Sequence, residues 1–317
     1  MNARHMQQYR QAEEAFFHAL QLEREEHFVE IPALGIRVRV QVTGQGAPLL
    51  FVHGGPNAGS TWAQLVALLS DFRCILLDRP GCGLSEVPST REQLSSEALA
   101  HEIVTTLDGV LDHFQLDRVA LIGSSLGGYW TLRYVLQRPE RVCSLILEGC
   151  PALVEEMVVP PFMKSLTYPV LRWLIPYLPT SKSYARKVLK EIGHTYAIEN
   201  GYISEHFVEW YVALSNHTDT MKHEVAAINQ FLVGGEMQPE YLLHDADIQR
   251  ITIPTLWLWG ADDPFGGVAL GKRIHEGMSR SEFVVFEHSG HLPWIDKPEA
   301  HAEHIRQFVG EYSHNPA

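Results

Sequence analysis

Six short apolar runs constrain this chain most: PLLFVHG at 48–54, CILLDRP at 74–80, RVALIGS at 118–124, VCSLILEG at 142–149, PTLWLWG at 254–260 and EFVVFEHSG at 282–290. Runs this short and this uniformly apolar suit strands buried on both faces of a sheet. Helix-period segments separate most of them, and strands joined by crossover helices run parallel. The expected fold class is therefore α/β, a doubly wound, mostly parallel sheet with helices on both faces. Ahead of it, HFVEIPALGIRVRVQVTG at 27–44 alternates apolar and polar residues about a Pro-Ala-Leu-Gly turn, which predicts an antiparallel strand pair. Residues 7–26 carry Ala12, Ala15, Phe16, Ala19, Leu20 and Leu22 at helical spacing, so a further helix, expected to serve packing, precedes the sheet.

The strand spacing breaks once. About a hundred residues separate the fourth run from the fifth, far more than a loop needs, so residues 151–248 are expected to form an inserted helical subdomain. That stretch holds Phe162, Tyr168, Trp173, Tyr177, Trp210, Tyr211 and Phe231, with helices expected near 181–192, 204–215 and 220–232. The predicted organisation is a helical extension at 1–27, a core at 28–150 and 249–317, and the insert. A chain of 317 residues, 45% hydrophobic and 20% charged, is long enough to bury a core of that size.

The 25 basic and 38 acidic side chains give a formal charge of −13, which repels nucleic-acid phosphates and anionic lipid headgroups. Neither nucleic acid nor a membrane is expected as a partner, whereas a small-molecule substrate is. The N-terminus is too polar for a signal peptide and no run of 18 apolar residues occurs. Four cysteines without metal-ligand spacing read as reduced thiols, and the expected location is cytoplasmic. No sequence feature encodes an oligomeric state.

GSSLGG at 123–128 joins the third apolar run to a helix-period segment. A nucleophile turn G-x-S-x-G needs a glycine two residues to either side of its serine. Gly123 and Gly127 frame Ser125, whereas Ser124 would need glycines where Ile122 and Leu126 stand. A serine hydroxyl also needs a histidine to take its proton and a carboxylate to orient that histidine. Both occur downstream, in WGADDPFGG after the fifth run and EHSGHLPW after the sixth, on the same carboxyl edge of the sheet as Ser125. Asp262 and Asp263, and His288 and His291, are the candidates. An oxyanion needs two backbone donors, and the Leu126 amide, next after the serine at a helix N-terminus, is one.

The motifs HGGP at 53–56, DRPGCGLS at 78–85, GSSLGG, WGADDP at 259–264 and SGHLPW at 289–294 make the chain resemble the α/β-hydrolase fold superfamily over residues 28–312. The resemblance implies a triad of Ser125, Asp263 and His291, with Asp262 the alternative acid. It implies Gly55 as the second oxyanion donor, with Gly54 next in order and also expected to touch substrate. Asp78 is read as a brace of its own loop, because the acid position is already filled. The insert would be a cap over an apolar pocket. Trp62, Tyr129, Trp130 and Trp294 adjoin the motifs and are candidates either for pocket walls or for plain packing. The other histidines, including His301 and His304 at i, i+3 spacing, are read as surface or core residues, and neither a metal nor a cofactor is expected.

These residues predict cofactor-independent hydrolysis of a small or medium, largely apolar ester through an acyl-enzyme. Carbon–carbon bond hydrolases of aromatic degradation share the Ser-Asp-His residues and are the first alternative. Proline iminopeptidases, which carry HGGPG, come next, although Asn57 stands here and the nucleophile turn lacks a tryptophan. Epoxide hydrolases and haloalkane dehalogenases use aspartate where this chain has Ser125. A non-catalytic ligand-binding receptor on the same fold is the remaining reading, and an intact triad argues against it. With the triad and both oxyanion donors on the core, the cap is expected to govern binding more than chemistry.

Overall fold

The computed structural model describes residues 3–89 and 95–313; residues 1–2 and 314–317, the ends of the predicted extension and core, lie outside the described residues, as do 90–94. The chain begins with α1 (Ala3–Ala19), β1 (Glu25–Ile31), β2 (Ile36–Thr43), β3 (Ala47–Val52), α2 (Ala63–Val66) and β4 (Phe72–Leu77). It continues through α3 (Ser96–His113), β5 (Val119–Ser124), α4 (Leu126–Gln137) and β6 (Val142–Glu148). The insert then supplies α5 (Pro161–Ser165), α6 (Pro169–Leu174), α7 (Lys182–Glu191), α8 (Thr195–Glu199), α9 (Glu205–His217), α10 (Thr220–Phe231), the hairpin β7 (Leu232–Val233) and β8 (Glu236–Met237), and α11 (Asp245–Ile248). The chain returns with β9 (Thr255–Gly260), α12 (Val268–Glu276), β10 (Ser281–Phe286), α13 (Pro293–Asp296) and α14 (Pro298–Ser313).

Eight strands form one sheet in the order β1-β2-β4-β3-β5-β6-β9-β10. β1, β2 and β4 pair antiparallel, and every pairing from β4 to β10 is parallel. The doubly wound α/β class expected from the apolar runs is the one observed. Side chains alternate across the sheet, so in β9 Leu256 and Leu258 join one core while Trp257 and Trp259 join the other. Helices α3, α4 and α12 cover the tryptophan side, and α1, α2 and α14 cover the leucine side. Because the strands from β4 to β10 are parallel, the loops after β3, β5, β9 and β10 converge on one edge. Among the described residues no helix is long and apolar enough to cross a membrane.

Local differences from expectation have simple causes. α1 spans 3–19 rather than 7–26, because Gln21 turns the chain with φ 53° and Glu25 and Glu26 are taken up by pairing with Val42 and Gln41. Of its periodic residues, Ala15 and Ala19 are exposed, whereas Tyr9, Glu13 and Phe17 are buried. β10 stops at Phe286, and the remainder of its apolar run is the turn that carries His288. Helices α7, α9 and α10 lie close to their expected positions, while α5 and α6 each begin on a proline, which suits a first helical position that needs no N–H donor.

A buried carboxylate ties α1 to the sheet. Glu13 accepts from the Arg39 guanidinium of β2, from Tyr9 Oη at 2.8 Å and from Ser60 Oγ at 2.6 Å. Arg39 also faces Glu26 and Asp78. Burial alone would raise the Glu13 pKa, but the Arg39 charge and its hydrogen bonds overcome that and hold it at about 2. Phe16 then stacks on Trp210 and meets Phe207 edge-on, both from α9, so the same helix grips the insert. A folded pKa below the unfolded value near 4.5 stabilises the fold above that pH and ceases to do so as pH falls toward 2. Replacing Glu13 by Ala should lower stability by about 3 kcal/mol at neutral pH, the lower end for a broken buried pair because Glu26 and Asp78 still face Arg39. Urea midpoints should show the gap between parent and variant shrinking from pH 5 toward pH 3; a gap independent of pH would disprove the linkage.

Candidate active site

The turn between β5 and α4 presents Ser125 at φ 53° and ψ −121°, a conformation that L residues rarely adopt and that is retained only where surroundings enforce it. The two framing glycines explain how the turn is made. A Cβ at Gly123 would lie 2.6 Å from Thr131 Oγ1, and one at Gly127 would overlap the Val52 carbonyl oxygen. The helix therefore starts directly against the end of β3. Ser125 is partly accessible, whereas Ser124 is fully buried in the strand. The Ser125 carbonyl accepts from Tyr129 and Ala152 amides, each at 3.0 Å, which locks the turn to α4 and to the first residues after β6.

Across the same opening, His291 stands on the loop after β10. Its Nδ1 lies 2.9 Å from Asp263 Oδ2, on the loop after β9. Asp263 is buried and accepts two further bonds, from the Cys150 amide to Oδ2 and the Phe265 amide to Oδ1, each at 2.9 Å. Those bonds fix the carboxylate, and the carboxylate fixes the ring, with the proton on Nδ1. The opposite nitrogen, Nε2, is buried and has no hydrogen-bond partner among the described residues. A buried polar atom left open in this way is an acceptor awaiting a donor. Phe265 packs on the imidazole at 4.1 Å between ring centroids. The alternative acid, Asp262, is exposed, and the alternative base, His288, is exposed and stacked on Tyr196.

The loop after β3 completes the group. Gly54 abuts the Ser125 turn so closely that a Cβ there would lie 2.7 Å from Ser125 Cβ. The amides of Gly55 and Leu126 have no acceptor among the described residues. His53 points away from the opening, donating from Nδ1 to the Gly54 carbonyl and accepting the Arg79 amide on Nε2. Burial and the adjacent Arg79 charge push its pKa well below the ordinary histidine value, so it remains neutral. Asp78 accepts from the Gly59 and Leu84 amides, which is the loop-bracing role expected of it.

Ser125, Leu126, Gly54, Gly55 and His291 all line one cavity of about 460 Å³. Its remaining walls are mostly apolar and come largely from the insert, including Leu166, Val188, Tyr211, Val225 and Ile228, with Phe265 and Leu292 from the core. Trp62, Tyr129, Trp130 and Trp294 do not line it, which corrects their reading as pocket walls in favour of packing. Trp62 and Trp294 stack on each other at 4.0 Å beneath the sheet, and Tyr129 and Trp130, one turn along α4 from Leu126, face the opposite core. Adjacency in sequence did not fix the direction of these side chains. His301 pairs with Glu148 at 2.8 Å and stacks on Phe286, so its spacing from His304 serves the core. Among the described residues no three His, Cys, Asp or Glu side chains are grouped as metal ligands, and the four cysteines form no disulfide with one another.

Three contacts from the insert were invisible to sequence patterns. Glu224 of α10 accepts from Arg79 Nη2 at 3.1 Å and from Cys82 Sγ at 3.2 Å, and a Cβ at Gly55 would overlap its carboxylate. Arg79 donates in turn to the His53 carbonyl at 2.8 Å and the Gly54 carbonyl at 3.1 Å, so this buried pair holds the backbone of the glycine loop. The Ile192 carbonyl accepts the His291 amide at 2.9 Å, and His194 accepts the amide of Leu292.

Strand order, connection and the convergence of a strand-end serine with a carboxylate-held histidine define a class, α/β enzymes that work at the carboxyl edge of their sheet. The chain belongs to the alpha/beta hydrolase family, whose sequence model matches residues 49–304. It is 27% identical over 285 residues to a 2-hydroxy-6-oxononadienedioate/2-hydroxy-6-oxononatrienedioate hydrolase of Paraburkholderia phymatum, covering 87% of this chain and 92% of that one. It is 24% identical over 303 residues to a proline iminopeptidase of Lactobacillus crispatus, covering 89% of this chain and 98% of the relative. The crystal structure of a carboxylesterase from Bacillus subtilis superposes with a TM-score of 0.74 at 20% identity, over 97% of this chain and 99% of the other. The protein is thus a hydrolase of the α/β fold.

The placement of the tryptophans generates a direct test. Trp62→Phe should lower stability by about 1–2 kcal/mol, because the smaller ring leaves part of the space against Trp294 unfilled, and leave KM unchanged. Thermal melts and ester kinetics on the same preparation decide it, and a KM shift without loss of stability would return Trp62 to the cavity wall.

Proposed function

We propose that this hydrolase is a serine esterase acting on an uncharged, largely apolar ester, with residues 151–248 as the cap over its pocket. Ser125 Oγ attacks the ester carbonyl and passes its proton to His291 Nε2, while Asp263 holds the imidazole and stabilises it once charged. The amides of Gly55 and Leu126 receive the oxyanion. His291 then protonates the leaving alcohol, and a water activated by the same nitrogen releases the acid from the acyl-enzyme.

The observation that carries this reading is the open, buried Nε2 of an Asp263-bound His291 facing the same apolar cavity as the strained Ser125. The cavity lining favours an ester over the alternatives. No lysine or arginine is among its lining residues, so nothing there is suited to pair with the carboxylates of a dioate. Of the two glutamates that line the cavity, Glu224 is committed to Arg79 and Cys82 and Glu191 faces Lys187, so neither is a free partner for a substrate ammonium.

A p-nitrophenyl ester series should show higher kcat/KM for medium acyl chains than for acetate. A vinylogous diketone bearing carboxylates and a prolyl anilide should be poor substrates, and preference for either would overturn the ester assignment. Ser125→Ala should abolish turnover with the fold intact, and Asp263→Asn should cost about 10⁴-fold in kcat, as loss of the orienting carboxylate does in another triad enzyme. Asp262→Asn should leave turnover at the parental level.

A further inference from the structure

Three consecutive backbone amides carry the loop that presents His291, and two of them are held by the insert. The Gly290 amide donates to Asp296 Oδ2 at 3.0 Å, the His291 amide to the Ile192 carbonyl at 2.9 Å, and the Leu292 amide to His194 Nε2 at 3.2 Å. His194 sits between α7 and α8, fully buried, and its Nδ1 lies 2.9 and 2.8 Å from the two oxygens of buried Asp296. The proton inventory of this small network is determined by its partners. Nε2 accepts an N–H and so carries no proton, which leaves the single proton of a neutral ring on Nδ1, donated to Asp296. The two backbones are in contact here, since a Cβ at Gly290 would lie 2.6 Å from both the Ile192 oxygen and the Gly193 carbonyl carbon.

We propose that His194 is a positioning residue for the catalytic base. By accepting the Leu292 amide while donating to Asp296, it fixes the backbone on both sides of His291, and with it the direction of Nε2 relative to Ser125. Asp263 alone leaves the ring free to pivot with its loop about one hydrogen bond. The assignment rests on His291 being the base, and it revises the expectation that the cap governs binding rather than chemistry: a cap histidine holds the loop on which the chemistry depends.

The two nitrogens of His194 can be removed separately. In His194→Asn the amide nitrogen stands near the former Nδ1 and keeps the Asp296 bond, but nothing reaches Leu292. In His194→Gln the side-chain oxygen stands near the former Nε2 and keeps the Leu292 bond. Each variant, with parent, His194→Leu and His291→Ala, would be assayed on p-nitrophenyl acetate and on the best ester of the series. Active sites would be counted by end-point labelling of Ser125 with a fluorophosphonate, and folding checked by circular dichroism. The expected result is a fall in kcat per labelled site of about 10- to 100-fold for Asn and Leu, the scale of an ångström-sized misplacement, with KM little changed and Gln close to parent. If Asn and Gln match in kcat per labelled site, or if variants lose only labelled sites and each surviving site turns over at the parental rate, His194 serves stability alone and the proposal fails. It fails likewise if Asn does not fold while Gln folds and behaves as parent. Retained activity in His291→Ala, with Ser125 still labelled, would instead remove the base assignment itself, whatever the His194 variants do.

Discussion

The close passage of the first turn of α4 against the end of β3 is the contact on which the arrangement around Ser125 depends. β3 and β5 are parallel neighbours in register, with Val52 opposite Gly123, so their loops leave the sheet side by side. Only glycine at position 127 lets the helix begin directly under the Val52 carbonyl, and that closeness places the glycine loop after β3 within van der Waals reach of Ser125. Ser125 and the amides of Gly55 and Leu126 are thus one packing unit, made by close main-chain approach and braced by the buried Arg79 beneath the glycine loop. His291 and Asp263 approach it from the two strands on the far side of β6, which explains why those residues have to come late in the chain.

Around that unit the charged groups are almost all paired before a substrate arrives. Arg79 lies beneath the glycine loop with its guanidinium shared among two loop carbonyls and Glu224, and its charge is balanced by a helix of the insert. Asp263 has each oxygen committed to main-chain donors. Such preorganisation matters because a site whose dipoles are already oriented spends little free energy on reorienting them when charge develops. The unpartnered Nε2 and the two unused amides stand out against this background of satisfied groups.

What the sequence revealed and what it hid divide along a physical line. Short apolar runs announced β3 to β6, β9 and β10 because burial on both faces leaves no room for polar alternation. Gly123 and Gly127 announced the nucleophile turn because a steric requirement at fixed spacing leaves a readable mark. His194, Glu224 and the Ile192 carbonyl left none: each acts through partners from about a hundred to 145 residues away, and a histidine between helices or a glutamate on one otherwise reads as a solvated residue. Glu13 was hidden for the same reason, since its partner Arg39 lies on an alternating strand where polar residues are expected to face water. The tryptophans show the converse limit. Periodicity placed Trp130 on α4 but could not say that its side chain joins the core rather than the cavity wall.

α1 has consequences for the order in which the molecule can be built. Its buried face needs Arg39 of β2 on one side and Phe207 and Trp210 of α9 on the other, and the latter contact closes a loop of roughly two hundred residues. On the ribosome α1 emerges long before α9 and is therefore among the last helices to find its full set of neighbours. Until α9 has been synthesised and docked, Phe16 lacks the Phe207 and Trp210 rings that cover it, and a nascent chain carries that apolar face unsheltered until the insert is made. α1 thereby acts as a late fastener that joins sheet and insert only when both exist.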